Sequence, residues 1–223
     1  LIFVNSPGNP TGWMMEQDQQ QAILDFCRAR GIWILADEVY GRLVYDRRVA
    51  PSFLEIATPD DPVVVVNSFS KSWAMTGWRM GWLTHPARIS EQLGDLVEFN
   101  TSGTPEFLQE AGIVAVRDGE DTVAAMAELC RVGRDAASRR LADMPRVIYN
   151  PPAAAFYAFF KVDGMENSLE FAKRLALEYK VGVAPGTAFG PSGEGWLRLC
   201  FAQSPERIDE AMNRLARALD EGV

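Results

Sequence analysis

The hydrophobic positions of this chain alternate between short apolar runs and longer segments with helical spacing. Runs at residues 1–4, 32–36 and 63–66 are typical of strands that are buried within a sheet. Between the first two runs, residues 16–30 carry apolar side chains at the spacing of a helix, and Gly31 closes it. The succession of strand, helix and strand indicates an α/β fold with a mostly parallel sheet and helices.

The second half of the chain predicts a smaller α/β unit. Residues 120–144 form a long amphipathic pattern that ends at Pro145, and we place the domain boundary at its start. The chain is thereby divided into a domain at residues 1–119 and a small C-terminal domain at residues 120–223. Further helices are predicted at residues 89–99, 105–117, 169–179 and after Ser204, and further strands at residues 82–84, 146–149, 154–162, 181–184 and 196–202.

Polar residues that are candidates for chemistry follow three of the predicted strands. Asn9 lies in a turn rich in proline and glycine, Asp37 comes directly after a run of five apolar residues, and Lys71 follows the valine run. Each has an ordinary explanation: a common turn, a helix cap and an exposed loop lysine. Because open α/β sheets bind ligands outside the carboxyl ends of their strands, the three residues are also candidates for one site.

Two arginines are candidate anion ligands. Arg79 lies between Trp78 and Met80, in apolar surroundings where an unpaired cation would be costly. Arg198 alternates with apolar residues in a predicted strand, so its side chain leaves one face of a sheet. A structural ion pair is the simpler explanation of either residue, and bidentate binding of a ligand carboxylate or phosphate is the functional one.

Composition excludes several classes of protein. The formal charge of −8 argues against a nucleic-acid or anionic membrane surface, and no apolar run approaches the length of a membrane helix. A single histidine leaves no histidine-rich metal site, so no metal is expected. The three cysteines, Cys27, Cys130 and Cys200, are widely spaced in apolar patterns, which predicts free, buried thiols in a reducing cytosol.

Four segments together resemble the class I and II aminotransferases, which are pyridoxal-phosphate enzymes of fold type I. They are N-P-T-G from Asn9, D-E-V-Y from Asp37, S-F-S-K ending at Lys71 with Arg79 eight residues later, and the W-L-R-L-C-F-A strand that contains Arg198. The resemblance covers essentially the whole chain. It implies the C-terminal part of the family's large, cofactor-binding domain, followed by the small C-terminal domain.

The resemblance assigns the catalytic roles to three residues. Lys71 matches the lysine that forms a Schiff base with pyridoxal phosphate and then moves a proton between the substrate and the cofactor. Asp37 matches the aspartate that meets the pyridine nitrogen, and Tyr40 matches the tyrosine on the phenolic oxygen of the cofactor. The spacing of Asp37 and Tyr40 allows both to face one ligand.

The same resemblance assigns the remaining site residues to binding of the cofactor or the substrate. Ser68, Ser70 and Arg79 match positions that hold the cofactor's phosphate. Asn9 matches an asparagine that binds the phenolic oxygen and also contributes to substrate binding. Arg198 matches the arginine that binds the α-carboxylate of the substrate.

The resemblance therefore implies transfer of an amino group between an α-amino acid and a 2-oxo acid, by a cytoplasmic homodimer. Two alternatives remain: a β-lyase or decarboxylase with the same fold, and an aminotransferase-like sensor domain of a transcriptional regulator. The chain opens inside a strand pattern without methionine, so we expect it to be a piece of a longer protein. We also expect this piece alone to be inactive and to hold the cofactor weakly.

Overall fold

The computed structural model describes residues 1–222 and divides the chain into two compact units. Unit 1 comprises residues 1–7 and 14–127, and unit 2 comprises residues 8–13 and the chain from Glu128 onward. The predicted domain division between residues 119 and 120 stays a prediction. Among the described residues, no helix combines the length and the apolar character that crossing a bilayer requires.

The sheet of unit 1 positions the predicted cofactor residues. Its strands follow one another in chain order: β1 (Ile2–Asn5), β2 (Ile34–Asp37), β3 (Val63–Ser68) and β4 (Gly81–Thr84). The first three are parallel and β4 is antiparallel, so the predicted mostly parallel sheet is confirmed. In this register Asn5, Asp37 and Val66 are neighbours, which aligns the carboxyl ends of three strands.

Helices of unit 1 cover a core that the apolar runs supply. Leu24, Ile34, Phe53 and Val65 are fully buried in one cluster. Burial of a side chain of this size contributes roughly 1.5–3 kcal/mol. The helices are α1 (Gln17–Arg28), α2 (Phe69–Ser72), α3 (Ser90–Thr101), α4 (Glu106–Asp118) and the first part of α5 (Glu120–Ala142).

Unit 2 contains an antiparallel sheet whose order is β5 (Val147–Tyr149), β6 (Tyr157–Val162), β8 (Trp196–Cys200) and β7 (Ala184–Pro185). Its helices are the remainder of α5, α6 (Ser168–Leu177) and α7 (Pro205–Asp220). Alternation along the strands separates two faces. Phe160, Leu197 and Leu199 are buried on one face, and Arg198 lies on the other.

One predicted strand of unit 2 starts later than its apolar pattern indicates. Residues 154–162 predict a strand, whereas β6 begins at Tyr157. The reason is local: the amide of Ala154 donates to the carbonyl of Gly12, and Ala155 has a left-handed φ of 61°. A left-handed residue interrupts the extended backbone that strand pairing requires.

The prediction of buried thiols is wrong for one cysteine. Cys27 and Cys130 are fully buried, and burial raises the pKa of the Cys130 thiol to about 12. Cys200 is exposed: it is the last residue of β8, where the strand leaves the sheet, and it lies on the face that also carries Arg198. All three thiols are unpaired with one another in the described chain.

The loop at residues 8–13 of unit 2 depends on a glycine. The amide of Gly12 donates to the carbonyl of Gly8 over 2.9 Å, and the Gly12 φ is +64°. A Cβ at Gly12 would lie 2.3 Å from Cβ of Pro152 and 2.6 Å from the carbonyl oxygen of Ala154. Both the backbone conformation and the space therefore exclude a larger residue.

Gly12→Ala is expected to destabilise the protein more than Gly31→Ala. Gly31 has a similar φ of +61°, but no atom lies within 4 Å of the place that an added methyl group would occupy, so the substitution isolates the conformational cost of about 1 kcal/mol. Gly12→Ala adds steric overlap and should cost about 3 kcal/mol in total. Urea unfolding of both variants measures the difference, and equal losses would contradict the steric argument.

Candidate active site

Most of the predicted site residues of unit 1 lie at the carboxyl ends of β2 and β3. Asp37 is the last residue of β2, and Ser68 is the last residue of β3. Lys71 lies one helical turn beyond Ser68, and its Nζ is 5.8 Å from the centroid of the Tyr40 ring. Two neighbouring parallel strands thus bring an amine next to a buried phenol.

Asp37 is not the helix cap that its sequence position also allowed. The segment after it forms turns, and its Oδ1 accepts a hydrogen bond from the amide of Val39 over 3.2 Å. The side chain is half-buried and forms no ion pair with any of residues 1–222. Its negative charge is therefore not neutralised by a basic side chain of the described chain.

The segment of Lys71 is more ordered than the apolar run suggests. β3 continues through Ser68, and a single helical turn, α2, then carries the lysine. Ser68 begins this turn: its Oγ accepts from the amide of Ser70 over 3.0 Å and donates to the carbonyl of Met80 over 3.3 Å. Ser70 itself is buried, so the backbone around Lys71 is fixed on both sides.

The prediction that apolar side chains surround Arg79 is wrong. Arg79 is exposed, its φ is 53°, and its guanidinium donates through NH1 to the carbonyl of Thr76 over 3.0 Å. The preceding Trp78 is itself 43% exposed, so it provides little cover. Arg79 nevertheless lines one cavity of about 640 Å³ together with Ser68 and Ser70, the other two predicted phosphate ligands.

Unit 2 brings Asn9 and Arg198 together, although 189 positions separate them in the sequence. NH1 of Arg198 donates to Oδ1 of Asn9 over 2.7 Å. The guanidinium carbon lies 4.2 Å from the centroid of the Tyr157 ring and 4.7 Å from that of Phe189. Two aromatic rings and an amide therefore fix the orientation of this cation. Its Nε is buried and has no hydrogen-bond partner among residues 1–222.

Sequence reasoning missed three residues that contact or position the predicted site residues of the two units. Tyr157 and Phe189 contact Arg198, and the alternation of β6 and β8 could have placed Tyr157 on that face. Glu38 is buried, and it accepts hydrogen bonds from Ser52 and Phe53. A glutamate after a strand carries no sequence signal of such burial, because most glutamates are exposed.

The predicted site residues of unit 1 and those of unit 2 suit ligands of different chemistry. In unit 1, an amine, a carboxylate, two hydroxyls and a guanidinium suit a ligand that carries a carbonyl and an anionic group. In unit 2, the oriented guanidinium suits a carboxylate. Nowhere in residues 1–222 do three histidine, cysteine, aspartate or glutamate side chains meet in an arrangement that could hold a metal ion.

Comparison with known proteins supports one family. The model of the family "Aminotransferase class I and II" matches residues 1–215. An aspartate aminotransferase of Pyrococcus horikoshii is 35% identical over 223 residues, which cover 99% of this chain and 56% of that protein. Aromatic-amino-acid aminotransferase 2 of Thermococcus litoralis is 35% identical over 226 residues, which cover 99% of this chain and 57% of that protein.

Solved structures of aminotransferases also superpose closely on this chain. An aromatic aminotransferase from Pyrococcus horikoshii superposes with a TM-score of 0.90 at 32% identity, over 98% of this chain and 59% of that chain. An aspartate aminotransferase from Thermotoga maritima superposes with a TM-score of 0.88 at 34% identity, over 98% of this chain and 56% of that chain. The chain thus spans little more than half the length of the proteins it matches. By its sequence and by its fold, the chain belongs to the class I and II aminotransferases, as its four motifs predicted.

Proposed function

We propose that the protein containing this chain is a pyridoxal-phosphate-dependent aminotransferase that moves an amino group between an α-amino acid and a 2-oxo acid. The observation that carries the proposal is the position of Lys71, whose amine lies 5.8 Å from the ring of Tyr40 at the carboxyl ends of two parallel strands. Membership of the aminotransferase family supports the reaction class.

The residues of unit 1 fit this cofactor. Ser68, Ser70 and Arg79 line one cavity and would hold the phosphate dianion through hydroxyl and guanidinium donors. Asp37, which has no basic partner in the described chain, would bind the protonated ring nitrogen. Tyr40 would donate to the phenolic oxygen. When bound, the cofactor supplies an aldehyde that condenses with an amine and a ring that withdraws electrons from the adjacent carbon.

Lys71 would carry the reacting amine. Its Nζ would hold the cofactor through the aldehyde carbon, and this amine would be free to act as a base once the substrate's amine has taken its place. The freed amine would then accept a proton from Cα of the substrate and deliver it to C4′ of the cofactor. The short helix α2 is suited to this task, because it fixes the backbone of Lys71 while the long side chain remains able to move.

Arg198 would bind the α-carboxylate of the substrate, with Asn9 as its fixed neighbour. The Oδ1 of Asn9 accepts from Arg198, which orients the amide of this predicted ligand. The rings of Tyr157 and Phe189 restrict the guanidinium, which lowers the entropy lost when a carboxylate binds.

Lys71→Ala is expected to abolish borohydride labelling and to lower kcat by at least about 100-fold, the scale of a lost general base. Borohydride adds hydride to a C=N bond between lysine and cofactor, so peptide mass analysis of the wild-type full-length protein should locate the cofactor on Lys71. Lys173→Ala is the matched control, since this exposed lysine forms an ion pair with Glu170 alone among residues 1–222. Labelling of another lysine would contradict the assignment.

The same full-length protein distinguishes the reaction classes by its products. A new amino acid formed from an added 2-oxo acid supports transamination. Ammonia together with a 2-oxo acid would indicate β-elimination, and carbon dioxide would indicate decarboxylation. Cofactor bound to Lys71 without any product from a wide set of amino acids would support a sensor.

Arg198→Lys is expected to raise the KM for the amino acid by about 10- to 100-fold, because the ammonium loses bidentate pairing with the carboxylate. The control Arg207→Lys alters an exposed arginine that donates to Gln203 and should leave KM unchanged. Steady-state kinetics measures both. An amine substrate without a carboxylate should be used equally by wild type and Arg198→Lys, and a loss with that amine would contradict the proposed role.

We further propose that the protein is a homodimer in the cytoplasm. Large apolar side chains on α3 and α4 are exposed in this chain, including Phe99, which is 90% exposed, together with Leu96, Phe107 and Val116. Apolar surface of this extent is uncommon on monomers, which supports cover by a second copy. The free thiols support a reducing compartment.

Light scattering of the full-length protein is expected to give twice the mass of one polypeptide at micromolar concentration. The apolar surface of α3 and α4 provides the physical reason, since its removal from water favours association. A mass of one polypeptide throughout the micromolar range would contradict the homodimer. The weak cofactor binding expected of residues 1–223 alone stays a prediction.

A further inference from the structure

Glu38 is a buried carboxylate that the proposed mechanism does not use. It is 6% exposed, although it directly follows Asp37 at the end of β2. Both of its oxygens are bonded: Oε2 accepts from Oγ of Ser52 over 2.6 Å, and Oε1 accepts from the amide of Phe53 over 2.9 Å. Burial raises the pKa of Glu38 despite these two bonds. A buried carboxyl group with both oxygens bonded to one distant segment of the chain indicates a specific role.

The two bonds of Glu38 close the loop at residues 38–53. Phe53 is fully buried in the core of unit 1, so the far end of the loop is fixed to that core. Within the loop, the amide of Gly41 donates to the carbonyl of Glu38 over 2.8 Å, and the amide of Ala50 donates to the carbonyl of Gly41 over 2.8 Å. The Glu38 side chain therefore joins both ends of a segment whose backbone also folds back on itself.

The loop contains Tyr40, whose ring faces Lys71. Tyr40 is buried, and its backbone carbonyl accepts from the amide of Leu43 over 2.8 Å. The 5.8 Å between Nζ of Lys71 and the Tyr40 ring depends on where the loop holds that ring. Only Val39 separates Glu38 from Tyr40, so release of the loop end would move the phenol relative to the amine.

We propose that Glu38 is a positioning residue: by joining the two ends of the 38–53 loop, its carboxylate holds Tyr40 at its place beside Lys71. This inference rests on the proposed function, in which Tyr40 donates to the phenolic oxygen of the cofactor. Loss of that donor would make the anionic oxygen less stable. The pH midpoint of the absorbance change of the bound cofactor would then rise.

Four variants of the full-length protein separate this role from a general loss of stability. Glu38→Ala removes both bonds, and Ser52→Ala removes one. Glu38→Gln keeps both, because its amide can accept from Phe53 and donate to Oγ of Ser52. Glu55→Ala removes a neighbouring exposed carboxylate and serves as the matched control.

The first measurement is amide hydrogen exchange of the cofactor-free protein, and the second is the pH titration of bound-cofactor absorbance. Glu38→Ala should exchange at least about 10-fold faster within residues 38–53 and shift the midpoint upward by about one unit, the scale of one hydrogen bond to a charged group. Ser52→Ala should give a smaller shift of the same sign. Glu38→Gln and Glu55→Ala should match wild type in both measurements.

Unchanged exchange and an unchanged midpoint in Glu38→Ala would overturn the inference. If Glu38→Ala does not fold, Ser52→Ala decides, and wild-type behaviour of that variant overturns the inference equally. A shift in Glu38→Gln as large as in Glu38→Ala would also overturn it, since charge and not the two bonds would then be responsible. Failure of the proposed function is distinguishable, because wild type itself would then show no borohydride label on Lys71.

Discussion

The parallel register of β1, β2 and β3 is the constraint from which the predicted cofactor residues of unit 1 obtain their positions. Because the strands run in one direction, Asn5, Asp37 and Val66 lie side by side, and everything that follows them leaves from one edge of the sheet. Lys71 follows Val66 by five positions, and Tyr40 follows Asp37 by three. A shift of one residue in this pairing would send every side chain of the shifted strand to the opposite face.

The parallel direction of these strands is predictable from the sequence, because apolar runs identify buried strands and the helical pattern between two of them favours a parallel connection. The pairing of individual residues comes from the structure. The sequence also indicates the residues at the strand ends. It does not predict α2, since a four-residue turn contains too few positions to show helical periodicity. Arg79 shows the other limit: apolar neighbours in sequence suggested burial, but a left-handed backbone at residue 79 leaves the side chain exposed.

Unit 2 shows why a contact between residues that are distant in sequence can be identified only from the structure. Asn9 precedes Arg198 by 189 positions, and no spacing rule relates the two. Their contact depends on the loop at residues 8–13, which Gly12 closes against Pro152. The later start of β6 has the same origin, since Ala154 donates to Gly12 and does not pair within the sheet. Motif resemblance predicted both partners as ligands, but only the structure supplies their hydrogen bond.

Local arrangement, and not overall charge, is what would allow an acidic chain to bind the anions proposed for it. The net charge of −8 opposes an anionic ligand at long range, but screening at physiological salt limits that field to about 8 Å. Within that distance of Arg198, the positive charge of its guanidinium dominates the electrostatic field. Arg198 is held between two aromatic rings, which leave its charge intact and reduce its freedom, while the acceptor it already has is a neutral amide. A guanidinium paired with a carboxylate of its own chain would have to break that ion pair before it bound a ligand. The neutral partner of Arg198 therefore fixes its direction without neutralising its charge.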